Sequence, residues 1–232
     1  MLYGLKITDW DKICFVPSHN LKDGGEKTAS TLKVGDKVLL KTSLGIDLAE
    51  VVSINSEESF SCETGSKQEA VILRKATKED IRKDEYLNQK KKIKQAIKES
   101  ARYVKELNLP MKIIDAHFSF DGGRVTIFFT APERIDFREL VKALSSHFHK
   151  SIRLYQVGVR QVFELEGDIG PCGYPLCCRC FLRDFDKVSI KAAVEQNLAH
   201  RGMERLTGVC GRLKCCLLFE QNKKGNQNKD EN

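Results

Sequence analysis

A chain of 232 residues, 41% hydrophobic and 31% charged, has the composition of a globular protein with room for one large core or two modest ones. Apolar runs such as Cys215–Phe219 fall far short of the roughly 18 residues of a membrane span, so no membrane insertion is expected. The net charge of +7 allows an RNA or acidic protein partner but is too modest to indicate nucleic acid by itself.

The first residues, Met1-Leu2-Tyr3-Gly4-Leu5-Lys6, show no basic segment leading into an apolar one, so a cytoplasmic location is expected. Nine cysteines are many for a reducing compartment, where disulfides are rare and metal or redox chemistry is the usual reason for such a count. Cys14 and Cys62 stand alone, and the other seven lie between 172 and 216.

Residues 1–76 read as short strands separated by turns. Lys37–Thr42 and Leu48–Val52 flank a turn at Leu44-Gly45, and the polar stretch Asn20–Ser30 reads as a loop. A small antiparallel β domain is expected, with no catalytic constellation. Thr77-Lys78-Glu79-Asp80 has the form of a capping box and opens one long helix that Asn108 and Pro110 end. Ile93, Ile97, Ala101, Val104 and Leu107 form its apolar stripe. Its outer face carries Lys90, Lys91, Lys94 and Lys98, a solvated surface or a contact for RNA or an acidic protein.

Next comes a strand–strand–helix–strand pattern. Ile114, Ala116, Phe118 and Phe120 alternate, Asp121-Gly122-Gly123 turns, and Val125, Ile127 and Phe129 alternate again. Asp136-Phe137-Arg138-Glu139 reads as a second capping box, ahead of a helix with Leu140, Val141, Leu144 and Phe148 on one face, and a last strand is expected near Ile152–Val162. His147 and His149 are two apart and do not share a helix face, which makes them poor co-ligands. The fold class is therefore α+β: the β domain, a long helix with a ferredoxin-like sandwich over 77–165, a cysteine-rich metal-binding segment over 166–220, and a disordered polar tail over 221–232.

Within the cysteine segment, Gly170-Pro171-Cys172-Gly173-Tyr174-Pro175-Leu176-Cys177-Cys178 and Gly208-Val209-Cys210-Gly211-Arg212-Leu213-Lys214-Cys215-Cys216 are two copies of G-x-C-G-x-x-x-C-C, 38 residues apart. A glycine after the first cysteine permits a tight turn with positive φ around a ligated sulfur. Adjacent cysteines diverge by about 100° on a helix, so one of each pair is expected to face away from a shared centre. Two ligands per copy would then complete one tetrathiolate site. The C-x₄-C spacing admits zinc, soft thiolates beyond four favour an iron–sulfur cluster, and Arg179, Arg212 and Lys214 nearby leave a redox dithiol open. A redox enzyme is disfavoured, since no dinucleotide glycine motif, C-x₃-C-x₂-C run or acid–base pair appears.

These segments, together with Val188-Ser189-Ile190-Lys191 and Gln196-Asn197-Leu198, resemble the RicT (YaaT) family, whose members carry a polymerase-suppressor-type C-terminal region. The likeness extends through Leu32–Asp36, Leu109–Lys112, Phe120–Gly122, Asp136–Val141 and Val157–Arg160, and reaches nearly to Glu220. It implies a cytoplasmic, non-catalytic protein that holds a [4Fe–4S] cluster through Cys172, Cys177, Cys178, Cys210, Cys215 and Cys216. It also implies small helical partners of the RicA and RicF type and a regulatory role in mRNA processing by the endoribonuclease RNase Y. Lys90, Lys91, Lys94, Lys98, Arg179, Arg212 and Lys214 are the candidate partner or RNA surface, and a zinc-stapled nucleic-acid-binding module is the alternative. Asp168, Tyr174 and the extra thiol Cys180 depart from the family pattern.

Overall fold

The computed structural model describes residues 2–11, 13–17, 32–55, 70–133, 135–182 and 188–220. The expected loop at 20–30, the tail at 221–232 and Cys62 lie outside them. Two compact units, Met1–Gln156 and Val157–Asn232, make up the chain, and both strands and helices contribute, so the class is α+β.

The first unit begins with five antiparallel strands, β1 (Leu2–Lys6), β2 (Cys14–Pro17), β3 (Lys37–Thr42), β4 (Gly45–Asn55) and β5 (Val71–Lys75), in the order β2-β1-β4-β3-β5. The expected hairpin turns at Ser43-Leu44, between Thr42 and Gly45. Alternation sends Val38, Leu40, Ala49 and Val51 to one face, where they pack with Tyr3, Leu5 and Ile72. Leu39 and Leu48 take the other face and meet Phe120. Gly4, at a bulge in the β1–β4 ladder, is held by close approach: a Cβ there would lie 2.3 Å from Ser53 Oγ.

Thr77 does cap a helix. Its hydroxyl accepts from the Asp80 N–H, and the Asp80 carboxylate accepts from the Thr77 N–H at 2.8 Å. The expected single helix is, however, two: α1 (Lys78–Leu87) and α2 (Lys90–Glu106). The break has a specific cause at Asn88. Its amide donates to Phe118 O at 3.1 Å and accepts from Phe118 N–H at 2.9 Å, the two bonds a neighbouring strand would make. Along α2 the buried line is Ala96, Ser100 and Val104, flanked by Ile97, Tyr103 and Leu107. The buried stripe is therefore centred on small residues, which let the helix lie close to the sheet. Asn108, at φ 49°, ends the helix as expected.

A second sheet contains β6 (Lys112–Phe118), β7 (Arg124–Thr130) and β8 (Ser151–Gln156), with α3 (Arg138–Phe148) between the last two. The β6–β7 pair is antiparallel and β7–β8 is parallel. A ferredoxin-like split β-α-β unit would leave another strand between β7 and β8, whereas here they pair directly. The ladder skips Ile114, so Ile113 and Ala116 are the buried residues of β6 rather than an unbroken even-numbered series. At α3 the expected capping box is absent. Phe137 is the N-cap residue without a side-chain bond, and Asp136 Oδ1 accepts from Arg138 N–H instead.

Every residue of β7 from Arg124 to Phe129 is buried, because both faces of the strand are covered. Val125, Ile127 and Phe129 pack with Leu140 and Leu144 of α3 and Val104 of α2. On the other face Phe128 meets Trp10 and Tyr155. Arg124 there forms a buried ion pair with Asp47 and donates to Leu44 O. Trp10 Nε1 donates to Asp115 Oδ2 at 2.8 Å.

β8 ends at Gln156, short of the expected Val162, and Val159–Glu166 forms helix α4 after the N-cap Gly158. The second unit continues with α5 (Cys177–Cys180), α6 (Ile190–Glu195), α7 (Met203–Leu206) and a last helix α8 over 215–220. Ala192 and Ala193 of α6 pack against Leu206 and Leu217 in a small core of its own.

Candidate metal centre

Each copy of the cysteine motif folds into the same closed loop. Ile169 pairs with Pro175 in an antiparallel bridge, as Thr207 does with Leu213. Gly170 N–H donates to Tyr174 O and Gly208 N–H to Arg212 O, both at 2.8 Å. Gly173 N–H donates to Gly170 O and Gly211 N–H to Gly208 O, both at 2.9 Å. The turns require glycine: Gly173 has φ +81° and Gly211 φ +71°. The leading glycine leaves room for the sulfur, since a Cβ at Gly170 would lie 3.3 Å from Cys172 Sγ. Each loop then runs into a helix that starts with the adjacent cysteines, Cys177-Cys178 on α5 and Cys215-Cys216 on α8. Phe181 and Phe219 meet edge to face at 5.1 Å between ring centroids and join the ends of the two copies.

Cys172, Cys177, Cys178, Cys210, Cys215 and Cys216 all line one cavity of about 140 Å³, together with apolar groups including Phe163, Leu176 and Leu213. The expectation that one member of each adjacent pair turns away is not met. Both loops wrap a space wide enough that residues about 100° apart at a helix start still border it. Cys180 is exposed and does not border the cavity, and Cys14, on β2, packs against the core of the first sheet.

Burial is the main reason the Cys177, Cys178, Cys215 and Cys216 thiols are pushed up, Cys215 to about 11. Negative charge on neighbouring sulfurs adds to this, and it acts across the two copies. Cys215 responds to Cys178, Cys210 and Cys177, and Cys216 responds to Cys177. The raised thiols of the two copies are thus electrostatically linked. Among the described residues no three Cys, His, Asp or Glu side chains converge closely enough to hold a single metal ion. The six cysteines border a space rather than meet at a point.

Residues 70–157 match the PSP1 C-terminal conserved region, and residues 187–230 match the third domain of PSP1-like proteins. The chain carries two PSP1-type regions. The second contains the second cysteine loop, while the first loop lies between the two matched regions. Over 94 residues the chain is 53% identical to the stage 0 sporulation protein YaaT of Bacillus subtilis, covering 40% of this chain and 34% of that protein. It is also 34% identical over 73 residues to an uncharacterized protein of Schizosaccharomyces pombe, covering 32% of this chain and 10% of that protein. The chain thus spans about a third of the first relative's length and a tenth of the second's. No solved structure matches it.

The remaining candidate residues are dispersed around the PSP1-type regions. Lys90, Lys91, Lys94 and Lys98 lie on α2 in the first, all exposed. Arg179 is used internally, donating to Leu165 O at 2.6 Å and so tying α5 back to the end of α4. Arg212 is exposed at the tip of the second loop, and Lys214 borders the cavity. The reading of the motif had no place for Arg160. From α4 its Nη2 donates to Leu213 O at 3.1 Å, inside the second cysteine loop. The two residues are 53 positions apart, beyond the reach of any local pattern.

Proposed function

We propose that this chain is a non-catalytic, cytoplasmic regulatory factor whose two cysteine loops hold one [4Fe–4S] cluster. The supporting observation is the single cavity bordered by all six motif cysteines, three from each copy. The donor set fits the group: it consists of soft thiol ligands in an apolar surround, the type of site that iron–sulfur clusters occupy. A cavity of about 140 Å³ also suits a multi-atom group better than a lone zinc, which draws its sulfurs to ~2.3 Å from one point. When bound, the cluster supplies cross-linking between the loops and sensitivity to oxidation.

The chain's own residues do the rest. Gly173 and Gly211 turn the loops, the bridges at Ile169 and Thr207 close them, and α6 with Leu206 and Leu217 supports the second. The loops present Ile169, Tyr174 and Val209 to solvent. A change of state at the cysteines therefore alters an exposed, partly apolar surface. We take this surface to face partners of the RicA and RicF type, in a complex that modulates mRNA processing by RNase Y. The likeness to a protein named for stage 0 sporulation supports a regulatory role in a process of that kind.

Cys→Ser substitutions at the six positions, reconstituted anaerobically, test the ligand set. Iron content should fall for the ligating members and stay unchanged in Cys180→Ser. Affinity for RicA- and RicF-like partners, measured on loaded and metal-free protein, tests the regulatory reading. Equal affinities would remove the cluster from the regulation.

A further inference from the structure

The six cysteines account for a ligand set but not for what keeps two separate loops in register. α4 carries two charged residues one turn apart, Arg160 and Glu164. Arg160 is bonded at 3.1 Å to the Leu213 carbonyl, two residues before Cys215. Leu213 lines the cavity that both copies border, as does Phe163 of α4, so the guanidinium is bonded to the wall of that cavity. Glu164 follows Phe163, the residue of α4 that lines the cavity. Lys214, on the second loop itself, also lines the cavity.

We propose that Arg160 is a positioning residue for the cysteine centre, anchoring the second loop through Leu213 and placing one fixed positive charge against the cavity that both copies line. This rests on the cluster reading above. Two consequences follow from the chemistry of a guanidinium. Its forked donors hold a carbonyl in one orientation, which an ammonium on a flexible stem does less well. Its charge is permanent, and the potential of an iron–sulfur centre depends on the net charge and hydrogen bonding around it. A thiolate-bound cluster is anionic, and reduction adds one more negative charge, so a nearby cation favours the reduced form.

The test uses the full chain, reconstituted anaerobically with iron and sulfide, in the wild-type, Arg160→Gln, Arg160→Lys and Glu164→Gln forms. Two quantities are measured: the rate of iron release to a chelator and the reduction midpoint by electrochemical titration. Arg160→Gln should release iron several-fold faster and shift the midpoint negative. Arg160→Lys should restore most of the midpoint while still releasing iron faster than wild type. Glu164→Gln should shift the midpoint positive, a result that packing alone does not produce. An Arg160→Gln protein with an unmoved midpoint would overturn the inference, as would Arg160→Lys and Arg160→Gln proteins with the same midpoint. A wild-type chain that takes up no iron would remove the cluster reading and this inference together, and that is evident before any variant is compared.

Discussion

Alanine at Gly173 or Gly211 should weaken the cysteine centre by a calculable amount. Their φ angles of +81° and +71° lie in the left-handed region, and no atom lies within 4 Å of a Cβ built at either position. The penalty is thus purely that of the backbone, about 1–2 kcal/mol for a residue with a side chain. The cost falls on the closed form of each loop, the form in which its cysteines border the common cavity. One to two kcal/mol corresponds to roughly a 5- to 30-fold change in an equilibrium constant. The two changes share no neighbouring atom, so the double variant should approach the product of the single effects. The assay is iron retention against a chelator under anaerobic conditions. Gly35→Ala is the control, because Gly35 has φ +90° and equally open surroundings but lies in the other compact unit. It should lower thermal stability without touching iron retention. Unchanged retention in Gly173→Ala and Gly211→Ala, or an equal loss in Gly35→Ala, would refute the reasoning.

Three further outcomes are expected. Asp47→Asn leaves the buried Arg124 without its ion-pair partner and should cost about 3–5 kcal/mol in urea denaturation of the first unit, with iron content unaffected. The Asp80 carboxylate is held well below the usual range, first by its bond to Arg74 and then by Thr77. Its stabilisation is therefore complete above the ordinary carboxylate pKa of about 3.9 and is lost as pH falls through the lower folded value. Acid denaturation of Asp80→Asn should accordingly show a shallower pH dependence than wild type. The raised thiols predict that cluster loading releases protons and that iron affinity rises with pH, because each ligand must be deprotonated before it binds. Affinity at pH 6 equal to that at pH 8 would contradict this.

What the sequence revealed was local. The doubled motif, the Thr77 capping box, the Asp121–Gly123 turn and the left-handed Asn108 each depend on residues a few positions apart, and each formed as its pattern implies. What stayed hidden depends on distant partners. Nothing near Asn88 signals a helix break, because the groups its amide satisfies belong to Phe118, 30 residues later. The bulge at Ile114 is a property of the β6–β7 ladder, not of the alternation in either strand. β8 ends early because Gly158 begins a helix whose residues, Val159 to Val162, would also suit a strand. At the centre itself, the repeated spacing pointed to one site shared by both copies, but not to both members of each adjacent pair bordering it.

Iron and acid-labile sulfide per chain, measured on full-length protein purified anaerobically, test the central claim most directly. The account predicts iron and sulfide in equal amounts, with the broad visible absorbance of a cluster, both lost when the cysteines of either loop are replaced. Colourless protein that binds one zinc per chain and no sulfide would contradict it.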